Sequence, residues 1–386
     1  MLCSFVIWRA AAPVRYIKNV CDLRSSVSAG QTCRSTVRII SGTDELRARS
    51  GGSLHSRTVD ETLEVPEDLE WDAAVDSKAS PPERLRSIPA TRDVDALGER
   101  LRAARRPLIL FGGGTRDDAN TESRERLAEA TGAAIFVTAS GRGAVGEDHT
   151  QFCGLAGLYT ARPMRALWQR ADLIVVVASR MEDTATMLLD GVAQHCDIVQ
   201  IDVEAGNFCH RYCVTKLLGD AAETVSQLTE RLGDASVGMD EWAGEIADAK
   251  RAALAERDQL LDRCAVHAQI HIAEILAAME IVLPADTVLV QENGLVDMWS
   301  YCYPQFALKR GQRTLSPGEQ TTLGFGTAAA LGVKLASPEG TMVVALVGDG
   351  AFDMYRADLF SSADHGKRHG KHRDSNMQGK RAANPP

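Results

Sequence analysis

The triplet Gly348-Asp349-Gly350 has the residue types that a phosphate and metal site requires. It directly follows an apolar run at residues 342–347, which is typical of a buried strand in a parallel sheet. Glycines at the end of such a strand let a ligand approach the backbone, and the aspartate between them offers a hard oxygen ligand that suits Mg2+. Loops at this position bind phosphates in open α/β sheets. The triplet therefore predicts a phosphate and magnesium site.

A second glycine-rich turn, Leu323-Gly324-Phe325-Gly326, lies about 25 residues upstream and precedes a run of small residues at 327–336. An aspartate between glycines is by itself a common turn. Its place after an apolar strand of six residues, with this second turn upstream, makes the combination more specific than either part.

Two further positions can be interpreted either as nucleotide contacts or as ordinary structural features. The turn Gly112-Gly113-Gly114 follows an apolar strand, so it could bind a dinucleotide, but it lacks the G-x-G-x-x-G spacing. A tight strand-to-helix turn without a ligand explains it equally well. Asp202, at the end of another strand, could hold a ribose hydroxyl, although a solvated loop carboxylate is the favoured interpretation.

Histidines and cysteines suggest no specific metal site. Cys209, His210 and Cys213 do not have the spacing of a closed zinc site, so we interpret them as ordinary thiols with a neighbouring histidine. A histidine triplet near the C-terminus has helical spacing, but it lies among lysines and arginines and is interpreted as part of a solvated tail. The triplet is His365, His369 and His372.

The composition limits the classes of protein. The 386 residues are enough for two or three domains, and 45% hydrophobic with 25% charged residues is ordinary for a soluble globular protein. A net charge of -9 argues against a nucleic-acid partner, and no apolar run has the length of a membrane span. Nine cysteines are too irregular for a disulfide framework, so we expect reduced thiols and a cytoplasmic location.

The elements that must position these residues alternate between strands and helices. Strands are predicted at residues 108–111, 133–138, 173–177, 198–202, 217–220 and 286–290. Helices are predicted around 94–101, 122–131, 162–170, 222–232 and 267–279, and residues 241–264 are predicted to form a solvated connecting helix. This alternation predicts an α/β fold with doubly wound parallel sheets.

The chain resembles thiamine diphosphate-dependent enzymes of the acetolactate synthase and 2-oxo acid decarboxylase type. The resemblance rests on motifs that occur in the order of that family over some 300 residues. They are residues 63–68, 107–114, 171–175, 316–319, 323–326 and 348–352. The family has a pyrimidine-binding domain, a central domain and a diphosphate-binding domain.

The sequence pattern and the resemblance together imply the following organisation. Residues 1–60 form an irregular N-terminal segment, and 61–82 are a remnant of the pyrimidine-binding domain with a linker. Residues 83–235 form a Rossmann-like central domain, and 236–264 form the connecting helix. Residues 265–366 form an incomplete thiamine diphosphate-binding domain, and 367–386 form a basic polar tail.

The resemblance also implies roles for individual residues. Asp349 would ligate the Mg2+ that bridges the diphosphate. Gly348, Gly350 and Ala351 would contact the diphosphate through the backbone or by close approach. Leu323 falls where the family places a bulky apolar residue under the bent cofactor. The family reaction is attack of the cofactor on a 2-oxo acid, loss of CO2 and transfer of the remaining fragment.

Departures from the family pattern limit this expectation. No glutamate can be assigned the activating role that the family places in its pyrimidine-binding domain. Asn376 has the spacing of the second metal ligand, but a basic segment replaces the strand expected before it. Leu295-Val296 stand where some members have a polar pair that holds the diphosphate. Residues 180–183 are only loosely similar to the flavin-contacting turn of some acetolactate synthases, so FAD stays open.

We therefore expect a protein that binds thiamine diphosphate and Mg2+ and derives from enzymes that decarboxylate or carboligate 2-oxo acids. Activity of the chain alone is expected to be impaired, and a homo-oligomer or a partner chain would supply the pyrimidine domain. The alternatives are a non-enzymatic protein that binds FAD or NAD, and a gene fragment or frame-disrupted copy.

Overall fold

A computed structural model describes residues 87–116, 120–233, 240–267, 270–318 and 322–355, and the backbone of 3–8 and 15–17. The predicted features at residues 63–68, His365, His369, His372 and Asn376 lie outside this part. The strands in chain order are β1 (Cys3–Trp8), β2 (Arg15–Ile17), β3 (Pro107–Phe111), β4 (Ala134–Val137), β5 (Phe152–Leu155), β6 (Leu173–Val177), β7 (Asp197–Asp202), β8 (Val214–Leu218), β9 (Val288–Gln291), β10 (Arg313–Leu315) and β11 (Val343–Gly348). The α-helices are α1 (Thr91–Ala103), α2 (Thr121–Thr131), α3 (Arg165–Arg170), α4 (Asp183–Thr186), α5 (Ala221–Leu232), α6 (Asp240–Ala265), α7 (Ile272–Val282), α8 (Leu295–Tyr301), α9 (Phe325–Ala336) and α10 (349–355).

The central sheet consists of six parallel strands in the order β5-β4-β3-β6-β7-β8. This order is that of a doubly wound dinucleotide-binding fold, so the predicted α/β class is confirmed. Strands β3, β4 and β6 are buried along their whole length, which explains their uninterrupted apolar sequences. The sequence patterns missed β5, because this four-residue strand contains Gly154, and glycine weakens a strand signal.

Two helices differ from their predictions. The predicted solvated helix, α6, buries Trp242, Ile246 and Ala253, and the Trp242 indole N–H donates to the carbonyl of Pro107 at 3.1 Å. Its charged residues hid a narrow apolar stripe that packs against the central sheet. Helix α7 begins five residues later than predicted, because His271 and Glu274 form a reciprocal capping box at its first turn.

The second sheet contains three parallel strands in the order β10-β9-β11. Strand β1 pairs antiparallel with β11, from Cys3 opposite Gly348 to Trp8 opposite Val343, and β2 pairs with β1. The strands cover nine residues of the segment 1–60, and the rest of that segment lies outside the described residues. Pairing along the edge of β11 satisfies backbone donors and acceptors, a tertiary effect that local composition does not report.

Candidate functional site

The carboxyl ends of β9 and β11 lie side by side and carry the predicted phosphate-binding residues. The two strands are parallel, with Leu346 opposite Gln291 in the register. The chain therefore leaves the sheet at the same edge after both strands. It continues as Glu292-Asn293-Gly294 after β9 and as Asp349-Gly350 after β11. This edge is where an open parallel sheet binds ligands.

Asp349 begins helix α10 and is exposed. Its Oδ1 atom accepts a hydrogen bond from the Gly350 N–H at 3.0 Å. Ala351 and Phe352 are buried and pack with the apolar residues of β9, β11 and α9. These two side chains anchor the start of the helix, so that the Asp349 carboxylate is held at the surface of the sheet edge.

The two glycines beside Asp349 are open to a ligand. A Cβ atom built on Gly348 or Gly350 meets no atom within 4 Å in the described part of the chain. Packing among the described residues therefore does not account for glycine at these positions. Approach of a ligand to the backbone would account for it.

The predicted Leu323 turn lies against this edge. Leu323 is 49% exposed, and Gly324 has a φ of 88°, which favours glycine. A Cβ atom on Gly324 would lie 1.9 Å from Cε2 of Tyr355, so the tyrosine ring covers this glycine. The structure thus brings Leu323 into the neighbourhood of α10, the helix that begins with Asp349.

Sequence reasoning missed Glu292, which is the most connected carboxylate at this edge. It is 1% exposed. Its Oε1 atom accepts from the Gly324 N–H at 3.0 Å, and its Oε2 atom accepts from the Gly326 N–H at 2.8 Å. An acidic residue directly after a buried strand was the available signal, but the partner glycines lie more than thirty residues away in sequence.

Asp297, in α8, is a second buried carboxyl that sequence reasoning missed. Its Oδ1 atom accepts from the N–H groups of Gly294 and Met298 at 2.8 and 2.7 Å. Burial raises the pKa of Asp297 to about 7, with a smaller contribution from the charge of Glu292. Asp297 thus stabilises the turn after β9 and can change charge near neutral pH.

A buried ion pair connects a loop of the central sheet to the segment at residues 300–308. Arg142 and Glu147 pair at 2.7 Å with both side chains 1% exposed. The Arg142 guanidinium also donates to the carbonyl oxygens of Ser300 and Phe306, and Glu147 accepts from the Leu308 N–H. The position of α8 is therefore tied to a loop of the central sheet.

At the central sheet, the two positions that the sequence left open as nucleotide contacts are packed against the protein itself. A Cβ on Gly112 would lie 2.2 Å from the Ala178 carbonyl oxygen, so the Gly112-Gly113-Gly114 turn is packed against the neighbouring loop. Asp202 is buried, and its Oδ1 atom accepts from the Glu204 N–H and the Asn207 amide. The favoured interpretation of Asp202 as a solvated carboxylate is therefore wrong, because its oxygens hold the following turn.

Two models of one protein family match the chain. The thiamine pyrophosphate enzyme central domain matches residues 94–228, and the thiamine pyrophosphate enzyme C-terminal TPP-binding domain matches 292–368. The chain belongs to the thiamine pyrophosphate enzyme family. Thiamine pyrophosphate is another name for thiamine diphosphate, so the predicted resemblance is confirmed.

Relatives of this chain have names that describe different enzyme activities. It is 26% identical to acetolactate synthase of Mycobacterium bovis over 72% of this chain and 44% of the relative. It is 29% identical to the probable 2-ketoarginine decarboxylase of Pseudomonas aeruginosa over 78% of this chain and 50% of the relative. It is 27% identical to 3D-(3,5/4)-trihydroxycyclohexane-1,2-dione hydrolase of Shouchella clausii over 73% and 47%. The chain spans about half the length of these relatives.

The residues of the sheet edge fit a metal-bound diphosphate. An exposed carboxylate supplies the hard oxygen that Mg2+ prefers, and Gly348 and Gly350 leave room beside it. The first N–H groups of a helix such as α10 have no intrahelical acceptor, which suits phosphate oxygens. In the described segments, no helix combines the length and apolar composition of a membrane span, and no three potential metal ligands cluster.

Proposed function

We propose that this chain binds thiamine diphosphate at the β9–β11 edge, through Mg2+ held by Asp349, and acts on a 2-oxo acid. The observation that carries the proposal is an exposed aspartate between two glycines that no described residue crowds. Gly348, Gly350 and the Ala351 backbone would contact the diphosphate. Leu323, half-exposed beside α10, would lie under the bent cofactor.

The reaction class is decarboxylation or carboligation of a 2-oxo acid. Acetolactate synthase and a probable 2-ketoarginine decarboxylase among the relatives support this class. When bound, the cofactor supplies the electron sink for this chemistry. Residues 348–351 would position the diphosphate and the metal, while residues 323–326 would support the thiamine.

We further propose that the pyrimidine end of the cofactor is held by a pyrimidine-binding domain from a second copy or a partner chain. The matching C-terminal TPP-binding-domain model supports the diphosphate half of this division. Where a partner chain supplies that domain, turnover by the purified chain alone is impaired. CO2 release from pyruvate by the purified chain, with thiamine diphosphate and Mg2+ added, tests this point, since robust turnover would refute the need for a partner.

The metal assignment is tested by Asp349→Ala. We expect Mg2+-dependent affinity for thiamine diphosphate, measured by calorimetry, to fall by about 100-fold, because the variant loses the metal ligand that bridges to the diphosphate. The matched control is Asp286→Ala, an exposed aspartate before β9 at the opposite edge of the same sheet. Equal affinities for the two variants would refute the role of Asp349.

A further inference from the structure

The turn Leu323-Gly324-Phe325-Gly326 resembles an anion site, but an internal group fills it. Glycines before a helix are typical of phosphate-binding N-termini. Here the N–H groups of Gly324 and Gly326 donate to the two carboxylate oxygens of Glu292. Glu292 also accepts from the Asn293 N–H at 3.0 Å and is almost fully buried. A phosphate could not reach these two donors without displacing the carboxylate.

Glu292 connects the three elements that surround the site. Its backbone N–H donates to the Leu346 carbonyl of β11 at 2.9 Å, while its carboxylate holds the first turn of α9. At Gly326 an added Cβ would lie 3.0 Å from both Glu292 Cβ and Val347 Cγ2. Helix α9 therefore sits tightly on the ends of β9 and β11, and glycine allows that contact.

Tyr355 also packs against this turn. Its ring covers Gly324, as the 1.9 Å approach of an added Cβ shows. Tyr355 belongs to α10, the helix that begins with Asp349. The turn that carries Leu323 is thus held by a carboxylate directly after β9 and by a ring on the helix that carries the proposed metal ligand.

We propose that Glu292 is a positioning residue that sets Leu323 under the thiamine, and that its carboxylate keeps the diphosphate away from α9. The inference rests on the proposed function, because it requires thiamine diphosphate at the β11 end. Tyr355 assists by packing on Gly324. Glu292 itself contacts neither metal nor diphosphate in this arrangement.

The experiment compares two ligands by calorimetry in the presence of Mg2+: thiamine diphosphate and inorganic pyrophosphate. Pyrophosphate reports the metal and diphosphate contacts, and thiamine diphosphate reports these plus the Leu323 contact. In Glu292→Gln the side-chain amide presents N–H groups to one of the glycine donors, so the turn loses a partner. We expect thiamine diphosphate affinity to fall about tenfold and pyrophosphate affinity to stay within about twofold.

The double variant Glu292→Gln with Leu323→Ala separates positioning from general damage. If Glu292 acts through Leu323, the double variant loses no more affinity for thiamine diphosphate than Leu323→Ala alone. Additive losses, or an equal loss of pyrophosphate affinity in Glu292→Gln, would overturn the inference. The matched control is Glu274→Gln, which alters the cap of α7 and should change neither affinity.

Other outcomes are also decisive. Binding of neither ligand by the unaltered chain refutes the proposed function and leaves nothing for Glu292 to position. Equal affinities of the unaltered chain for the two ligands refute the Leu323 contact, and with it this inference. Should Glu292→Gln fail to fold, Tyr355→Leu replaces it in the same cycle, since Tyr355 is 37% exposed. For Tyr355→Leu we expect thiamine diphosphate affinity to fall about threefold and pyrophosphate affinity to stay unchanged.

Discussion

Both parallel sheets carry glycine-rich turns at the carboxyl ends of their strands, but the glycines have different surroundings. In the central sheet, a Cβ on Gly112 would lie 2.2 Å from the Ala178 carbonyl, and one on Gly157 would lie 1.9 Å from the Thr184 carbonyl. In the C-terminal sheet, Gly348 and Gly350 have no neighbour within 4 Å of an added Cβ in the described part of the chain.

The difference separates two reasons for glycine that look alike in a sequence. Gly112 and Gly157 in the central sheet allow one loop of the protein to pack on another. Glycine at the end of β11 leaves space that the described chain does not use, beside an exposed aspartate. The first arrangement contributes to stability, and the second is available for a ligand. The following substitutions test this distinction, in order of decreasing effect on the free energy of unfolding.

The largest effect is expected where the two regions are joined, at Arg142. Arg142→Met leaves Glu147 buried without its cation and removes the donors to the Ser300 and Phe306 carbonyls. We expect the free energy of unfolding in urea to fall by about 3–5 kcal/mol. The matched control is Arg310→Met, whose side chain is 56% exposed and pairs with Glu125, and which should cost about 1 kcal/mol or less.

Similar costs for these two arginine variants would mean that the buried pair does not hold the regions together. The number of unfolding transitions in the same urea titration is a second measurement. A new transition at lower urea in Arg142→Met, monitored by tryptophan fluorescence, would show that α8 and the preceding strand β9 unfold before the central sheet.

Gly112→Ala is expected to have the next largest effect. The new methyl group must displace the backbone around Ala178 and Ser179, which line the adjacent strand end. Overpacking of this kind costs about 3 kcal/mol when backbone has to move. Gly191→Ala is the control, because an added Cβ there meets no atom within 4 Å among the described residues. Thermal and urea unfolding should distinguish the two variants, and equal stability would contradict the packed-turn interpretation.

Asp297 gives the C-terminal region a response to pH. Burial raises its pKa in the folded state to about 7, whereas an unfolded aspartate titrates at about 4. The folded state therefore retains the proton longer, and its contribution to stability is lost as pH rises from about 4 through about 7. The slope should reach at most about 1.4 kcal/mol per pH unit. Asp297→Asn keeps the acceptor for Gly294 and Met298 and should remove this slope in urea unfolding.

Much of this organisation could be predicted from the sequence, because the central strands are continuous apolar runs between turns. The Asp349 triplet was predicted as a site for the same reason, since its signal is local. Glu292 was missed because its partners, Gly324 and Gly326, come close only after β9 and α9 pack together. The stripe of Trp242 and Ile246 in α6 was hidden by surrounding charges. Whether a glycine turn is packed or open depends on loops distant in sequence, as Gly112 and Ala178 demonstrate.

Gly350→Ala should have the smallest effect on stability and the most direct bearing on the comparison. The added methyl group meets no described atom, and alanine is favoured over glycine in a helix by up to about 1 kcal/mol, so stability should be unchanged or slightly raised. Affinity for pyrophosphate with Mg2+, measured by calorimetry, should nevertheless fall about tenfold, because the methyl group occupies the space through which a diphosphate would approach the backbone. The opposite pattern is expected of Gly112→Ala, with lower stability and unaltered affinity under folding conditions. If Gly350→Ala leaves affinity unchanged, the open space beside Asp349 is ordinary surface, and the contrast between the two turns loses its functional meaning.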